Sequence, residues 1–369
     1  MNQSKVNIGI IGCGNISGIY FQNCFHFEIL SVVACADLVP ERAQVKAAEY
    51  PGVVAYSVDE LLKHPEIEIV LNLTTPNAHF EVGKAVLEAG KNLYNEKPLT
   101  IRREEGQQLL ALAAQKGLKI GCAPDTFLGA GQQTCRKLID DGWIGKPVAA
   151  TAFMLCHGHE SWHPDPEFYY QSGGGPMFDM GPYYLTSLIH LLGPVKQVAG
   201  LTKISFPERL ITSEPKKGTR VQVEVPTHIA GLIEFASGAV ATIVTSFDVW
   251  AAEVPCIEIY GTEGSLSVPD PNCFGGPVRI YRPGTNAWKE MPLTHIYAEN
   301  SRGIGIADLA YALRFGRAFR ANAELAFHVL DVMHAFHEAF EKQSMLTLSS
   351  TCQQPAPLPL GLRHFILDK

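Results

Sequence analysis

The stretch VNIGIIGCGNISG, close to the start of the chain, constrains the fold more than any other. An apolar run from Val6 to Ile11 leads directly into Gly12-Cys13-Gly14-Asn15-Ile16-Ser17-Gly18. Gly12 allows a tight strand-to-helix turn, and Gly14 lets the backbone come close to a pyrophosphate. Ser17 stands where a third glycine usually permits close helix packing, and it is nearly as small. The helix that follows presents unpaired N–H groups to phosphates, so Asn15 and Ile16 join the candidate contacts. A glycine motif alone is weak evidence, and a purely structural turn is its plain alternative. The next apolar run, ILSVVACAD, supplies context. It ends at Asp37, about twenty residues after the glycines, where an acid accepts hydrogen bonds from adenosine ribose hydroxyls. Leu38 follows and no arginine stands where a 2′-phosphate would sit, which favours NAD over NADP. The alternative for Asp37 is a cap on the helix PERAQVKAA.

The strand–helix alternation continues. VDELLKHP reads as a helix, IEIVLNLTT as a strand, HFEVGKAVLEAG as a helix, KNLYNEKPL as a strand and its exit, REEGQQLLALAAQKG as a helix and LKIGCAP as a strand. Alternation of this kind implies a parallel sheet with ligands at the C-terminal strand ends, here a Rossmann domain over residues 1–124. Two of those ends carry unusual residues: Thr74-Thr75-Pro76-Asn77 with His79, and Asn95-Glu96-Lys97-Pro98. They complete the candidate cofactor contacts. A lysine at a strand end, partly buried beside a cofactor, has its pKa lowered toward a catalytic range. A cis bond before Pro98 is possible. Read alone, Lys97 would be a surface lysine.

At 369 residues the chain is too long for one ordinary core. Its 46% apolar and 18% charged residues suit a globular protein. The net charge of −7, with no basic run to offset it, argues against a nucleic-acid partner. No apolar run is long enough to span a bilayer, and MNQSKVNIGIIG lacks the regions of a signal peptide. Nine scattered cysteines without a CxxC pair suit reduced thiols, so the expected location is the cytoplasm.

GCGNIS, TTPNAHF, EKPL and the later GGGPMFDMGPYYL together resemble the glucose–fructose oxidoreductase / inositol dehydrogenase / rhizopine-catabolism (Gfo/Idh/MocA) family over nearly the whole chain. The resemblance implies a second domain, residues 125–369, with a large, open, mostly antiparallel sheet. It also implies hydride transfer between a tightly held nicotinamide cofactor and a sugar or cyclitol hydroxyl. Lys97 matches the family's catalytic lysine, and Asp179 the acid of its D-x-x-x-H motif. Tyr183 stands where inositol dehydrogenases carry histidine, as in the glucose–fructose oxidoreductase and dihydrodiol dehydrogenase branch, so an inositol substrate is in doubt. By family analogy a homodimer or homotetramer covers the open sheet. The spacing is physically sensible: in a helix beginning at Asp179, positions i and i+4 share a face. DMGPYYLTSLIHLLG reads as that helix, with Gly193-Pro194 as its stop. The plain alternative is that Asp179 caps the helix and Tyr183 packs beneath it.

From Pro147 the pattern turns to strands: VAATAFMLCHG, VKQVAGLTKIS, VPTHIAGLIEF, AVATIVTSFDVW, CIEIYG and SLSV. Two helices follow, GIADLAYALRFGRAF and AELAFHVLDVMHAFHEAFEK, and PAPLPLGLRHF reads as a tail packed on the surface. The stretch HGHESWHPDPEF poses the sharpest question. His157 and His159 share a face at strand spacing, and with Glu160 or His163 they could ligate a metal. The favoured reading is metal-free: a substrate loop in which Trp162 offers a flat face to a pyranose. His157, His159, Glu160, His163 and Asp165 would supply donors and acceptors for its hydroxyls. Asp125 and Thr126, just past the last Rossmann strand, should border the substrate. Arg302 could reach an acidic group on it, or pair with Asp308. His328 reads as a core histidine.

Three functions remain open. The first is an NAD-dependent sugar dehydrogenase in which Tyr183 takes a hydroxyl proton, Lys97 lowers its pKa and Asp179 orients the groups. The second is a redox-neutral glycoside-cleaving enzyme, with oxidation, elimination and re-reduction, that uses the His/Glu groups as extra acid and base. The third is a non-catalytic NAD-dependent sensor, against which the intact Lys97, Asp179 and Tyr183 argue.

Overall fold

The computed structural model describes residues 4–369. In chain order its elements begin with β1 (Val6–Ile11), α1 (Ser17–His26), β2 (Leu30–Ala36), α2 (Pro40–Glu49), β3 (Val54–Ala55), α3 (Val58–Lys63), β4 (Ile69–Asn72), α4 (His79–Glu88), β5 (Asn92–Asn95), α5 (Arg103–Lys116) and β6 (Ile120–Cys122). They continue with α6 (Ala130–Asp140), β7 (Pro147–Leu155), α7 (Gly175–Leu192), β8 (Val195–Lys203), β9 (Glu208–Leu210), β10 (Arg220–Gln222), β11 (His228–Phe235), β12 (Val240–Ser246) and β13 (Ile257–Gly261). The last are β14 (Ser265–Val268), β15 (Val278–Tyr281), β16 (Lys289–Met291), α8 (Ile304–Phe315), α9 (Ala323–Lys342) and β17 (Leu346–Thr347).

The chain divides into two compact units. The first takes the residues up to Ala130 and then returns twice, as Thr294–Phe327 and Pro355–Lys369. Its sheet has six parallel strands in the order β3-β2-β1-β4-β5-β6. All of β4 and nearly all of β1 is buried, as continuous apolar strands covered on both faces must be. Leu61, Ile67, Val86, Leu87, Leu93 and Leu109 form one core cluster of this unit. The strand order reverses between β1 and β4, which is where an open parallel sheet leaves a crevice at its C-terminal edge.

The closing segment PAPLPLGLRHF runs over the surface as expected, mostly exposed but anchored by a buried Leu358, and the residues after it dock more deeply. Leu358 and Leu367 are 3% and 2% exposed, and Asp368 Oδ2 accepts from Arg320 Nη2 at 2.8 Å. Arg320 Nη1 and Arg317 Nη2 both donate to the fully buried Asp308, each at 2.7 Å. Asp308 is thus neutralised by these two arginines, where a pair with Arg302 was one of the two alternatives.

The second unit covers Gly131–Leu293 and His328–Gln354. Its nine-stranded sheet runs β16-β15-β14-β13-β7-β12-β11-β8-β17. Only β7 and β12 are parallel neighbours; every other pair is antiparallel. Burial alternates along β11 and β12, so one face is packed while Leu232 and Val240, on the other, stay about half exposed. A two-stranded ribbon, β9 with β10, stands beside it. Among the described residues no helix is long and apolar enough to cross a membrane.

Candidate active site

The candidate residues of the first unit are held mainly through backbone. β1 ends at Gly12, whose φ of +100° is open to glycine. A Cβ there would lie 2.7 Å from both the carbonyl carbon and oxygen of Leu73. The loops after β1 and β4 therefore touch main chain to main chain. Gly14 is the opposite case, since a Cβ on it would meet nothing within 4 Å. The space above the start of α1 is open, Gly14, Asn15 and Ile16 are exposed, and no side chain caps the helix. Ser17 is fully buried and its hydroxyl donates to Gly14 O at 2.7 Å, so it locks the turn. These features fit a pyrophosphate held by main-chain N–H groups.

Asp37, at the end of β2, accepts from Cys13 N through Oδ2 and from Val39 N through Oδ1, both at 2.8 Å. It ties the glycine loop to the second strand end. The helix cap of α2 is Val39, not Asp37. Leu38 is 95% exposed beside it.

After β4, Thr74 donates through N and Oγ1 to Asn72 Oδ1, while Thr75 and Asn77 face solvent. His79 is fully buried, with Nδ1 2.6 Å from Pro98 O and Nε2 3.1 Å from Thr74 O. Burial lowers its pKa, and the ring fills the space between the β4 and β5 exits. After β5, Glu96 accepts from the Tyr20 hydroxyl at 2.6 Å and from Lys97 N at 2.8 Å. Lys97 is half-buried and its bond to Pro98 is cis.

Asp125 and Thr126, expected beside the substrate, are 1% and 2% exposed. Asp125 Oδ2 accepts from Gly303 N at 2.8 Å and Gly305 N at 3.0 Å, at the start of α8. Burial raises its pKa to about 6 despite those donors. Arg302 donates to Asn300 Oδ1 at 2.9 Å.

The candidate residues of the second unit are held through side chains. α7 begins at Gly175, with proline in its first turn, so Asp179 lies inside the helix and caps nothing. Asp179 and Tyr183 share a helix face, Tyr183 being 7% exposed. His159 Nε2 lies 3.1 Å from Asp179 Oδ2, which brings together two residues far apart in sequence.

The rest of the histidine stretch diverges. β7 ends at Leu155, and Gly158 between the two histidines has φ +79°. Strand alternation has therefore stopped, and His157 and His159 do not share a face. His157 stacks on Trp250 with centroids 3.3 Å apart, and lines a cavity of about 530 Å³ with Phe206 and Arg209. Burial lowers its pKa. His163 Nδ1 accepts from Asp165 N at 3.0 Å, and Trp162 is 62% exposed. Glu160 is buried: its carboxylate accepts from Arg209 Nη1 at 2.9 Å and from the Tyr170 hydroxyl. Arg209 also bonds Asp248 and, at 2.8 Å, Phe247 O. Among the described residues no group of three or more His, Cys, Asp or Glu side chains is arranged to hold a metal ion. His328 is a core histidine: Nε2 accepts from Val195 N at 3.0 Å, and burial lowers its pKa to about 4.

Sequence reasoning missed Arg209, Asp248 and Trp250. The one local signal was SFDVW, where a charge and an aromatic close an alternating strand.

Two family models show the family. The model described as an oxidoreductase family with an NAD-binding Rossmann fold matches residues 6–123. The GFO/IDH/MocA C-terminal domain matches residues 132–267. The chain belongs to the Gfo/Idh/MocA family. Within this oxidoreductase family, a 1,5-anhydro-D-fructose reductase of Ensifer adhaerens is 29% identical over 265 residues, 70% of this chain and 74% of that protein. An uncharacterized oxidoreductase of Schizosaccharomyces pombe is 28% identical over 223 residues, 54% of this chain and 60% of that one. The chain thus spans only part of each relative's length. A levoglucosan dehydrogenase solved with NADH shares the fold, with a TM-score of 0.79 at 20% identity, covering 94% of this chain and 100% of that one.

Proposed function

We propose that this Gfo/Idh/MocA protein is an NAD-dependent dehydrogenase acting on a hydroxyl of a sugar or sugar derivative. The observation that carries the reading is the helix start at Gly14-Asn15-Ile16, open and uncapped, in a family whose members include sugar-related enzymes. Gly12, Gly14, Asn15 and Ile16 would hold the pyrophosphate, and Asp37 the adenosine ribose. A carboxylate at that place repels a 2′-phosphate, which selects NAD over NADP. Thr74, Thr75, Asn77, Glu96 and Lys97 form the remaining strand ends, with His79 bracing them from below. A bound nicotinamide supplies or takes the hydride.

The chain's own residues handle the proton. Tyr183, as the phenolate, accepts it from the substrate hydroxyl and becomes the neutral phenol, Asp179 orients that hydroxyl, and the positive charge of Lys97 favours the phenolate by lowering the tyrosine pKa. His163 and Trp162 contribute to the sugar's surroundings. Glu160 is already committed to Arg209 and Tyr170, which deprives a glycoside-cleaving scheme of one of its extra acids.

The test is a panel of free sugars, cyclitols and glycosides with NAD and with NADP, following reduced nicotinamide and released aglycone in the same samples. Reduced NAD formed with a free sugar is the expected result. Aglycone release without net reduction would replace this reading with redox-neutral cleavage.

A further inference from the structure

We propose that His159 is the positioning residue for Asp179, carrying its proton on Nε2 and donating it to Oδ2. The inference rests on the reading of Asp179 as a site residue, and it extends that reading to the group that holds the aspartate.

The geometry is specific. Nε2 and Oδ2 are 3.1 Å apart, in hydrogen-bond range. The side chains are only 11% and 15% exposed, so water screens the contact poorly. The imidazole is wedged by three aromatic rings, Trp162, Tyr169 and Phe247, at centroid distances of 5.2, 4.1 and 4.7 Å and at 61–69° to each. That cage fixes the ring plane, and therefore the direction of the Nε2–H bond.

The main chain under the ring is fixed as well. His159 O accepts from His163 N at 2.9 Å. The next residue, Glu160, is pinned through its side chain by Arg209 and Tyr170, and through its carbonyl by Thr212 N at 2.8 Å and Ser213 N at 3.1 Å. Arg209 is held in turn by Asp248, which accepts from Thr227 Oγ1 at 2.8 Å. A buried ion cluster thus places a loop residue against a helix residue. Glu160 serves as the anchor of the loop and His159 as its working end. An imidazole that donates through Nε2 sets which carboxylate lone pairs remain to turn toward a substrate hydroxyl.

The test compares His159→Ala with His159→Gln, whose side-chain amide can return a donor near the position of Nε2. Thermal melts check that each variant folds. With the best sugar from the panel, His159→Ala should lower kcat about 10–100-fold while KM and NAD affinity stay within about threefold. His159→Gln should recover kcat to within about fivefold of the parent. An unchanged kcat in His159→Ala, a loss confined to KM, or a glutamine variant no better than alanine would each overturn the proposal. A second arm needs no turnover: ¹⁵N-histidine NMR of the parent protein, with the His159 signals assigned by their loss in His159→Gln. Nε2 should read as protonated, and Asp179→Ala should return the ring to a mixture of tautomers. A tautomer indifferent to Asp179 overturns the proposal. If no sugar on the panel is turned over, the functional reading fails, and the NMR arm alone judges the His159–Asp179 bond.

Discussion

The glycine loop of the first unit and the histidine loop of the second present opposite ways of making a site. The first is a backbone device: Gly12 lets two loops touch, Gly14 leaves open space, and the start of α1 has no side-chain cap among the described residues. The second is a side-chain device. His159 meets Asp179 from a loop whose next residue, Glu160, is bonded to Arg209 and Tyr170, with Arg209 bonded in turn to Asp248. A backbone site is written in a few consecutive residues. A side-chain site depends on partners from distant strands.

That contrast can be broken by experiment, from the largest effect downward. Lys97→Met should cut turnover by about 10³–10⁴-fold with NAD binding within about threefold, read by steady-state kinetics and cofactor titration. Retained turnover would remove Lys97 from the chemistry. Arg209→Met leaves Glu160 and Asp248 as buried carboxylates without their cation. It should cost about 3–5 kcal/mol in chemical denaturation, far more than any exposed ion pair here. A loss below about 1 kcal/mol would mean the histidine loop does not depend on the cluster.

Asp125 sharpens the comparison within the first unit. Its folded pKa is raised from 3.8 to about 6, so the folded state binds the proton more tightly than the unfolded chain. Its contribution to stability is present below pH 4 and lost as pH rises to about 6, on the order of 3 kcal/mol in all. Asp125→Asn, whose amide oxygen can still accept from Gly303 and Gly305, should flatten that part of the stability–pH curve. A curve of unchanged slope would contradict the assignment. The smallest effect is expected at Asp37. Asp37→Ser should shift the NAD-to-NADP preference by roughly 10–100-fold toward NADP while total turnover with NAD falls less, as befits one ribose contact on a backbone-built site.

The same contrast explains what could be read in advance. β1, β2 and β4 are uninterrupted apolar runs, and each is a strand of the parallel sheet. The alternating runs that became β11 and β12 were equally clear. The start of α7 was misplaced because Gly173-Gly174-Gly175-Pro176 looks like loop. Yet proline costs nothing in a first helical turn, where its missing N–H would have no partner, so the helix begins four residues ahead of Asp179. His157 and His159 were assigned one face by strand periodicity, and that periodicity ended at Leu155. Arg302 and Asp308 lie close in sequence, but Arg317 and Arg320 reach the carboxylate instead.

By itself, the sequence determined the six-stranded parallel order's local signals, the glycine turn and the acid at the end of β2, and the helical spacing of Asp179 and Tyr183. All of these arise from neighbours within a few residues, where sterics and periodicity act directly. Only the tertiary structure decided that Glu160 is an anchor, that Asp125 is buried under α8, and that His159 faces Asp179. Those outcomes depend on which distant donor or cation reaches a buried carboxylate first, and burial makes that pairing obligatory without announcing the partner in the local sequence.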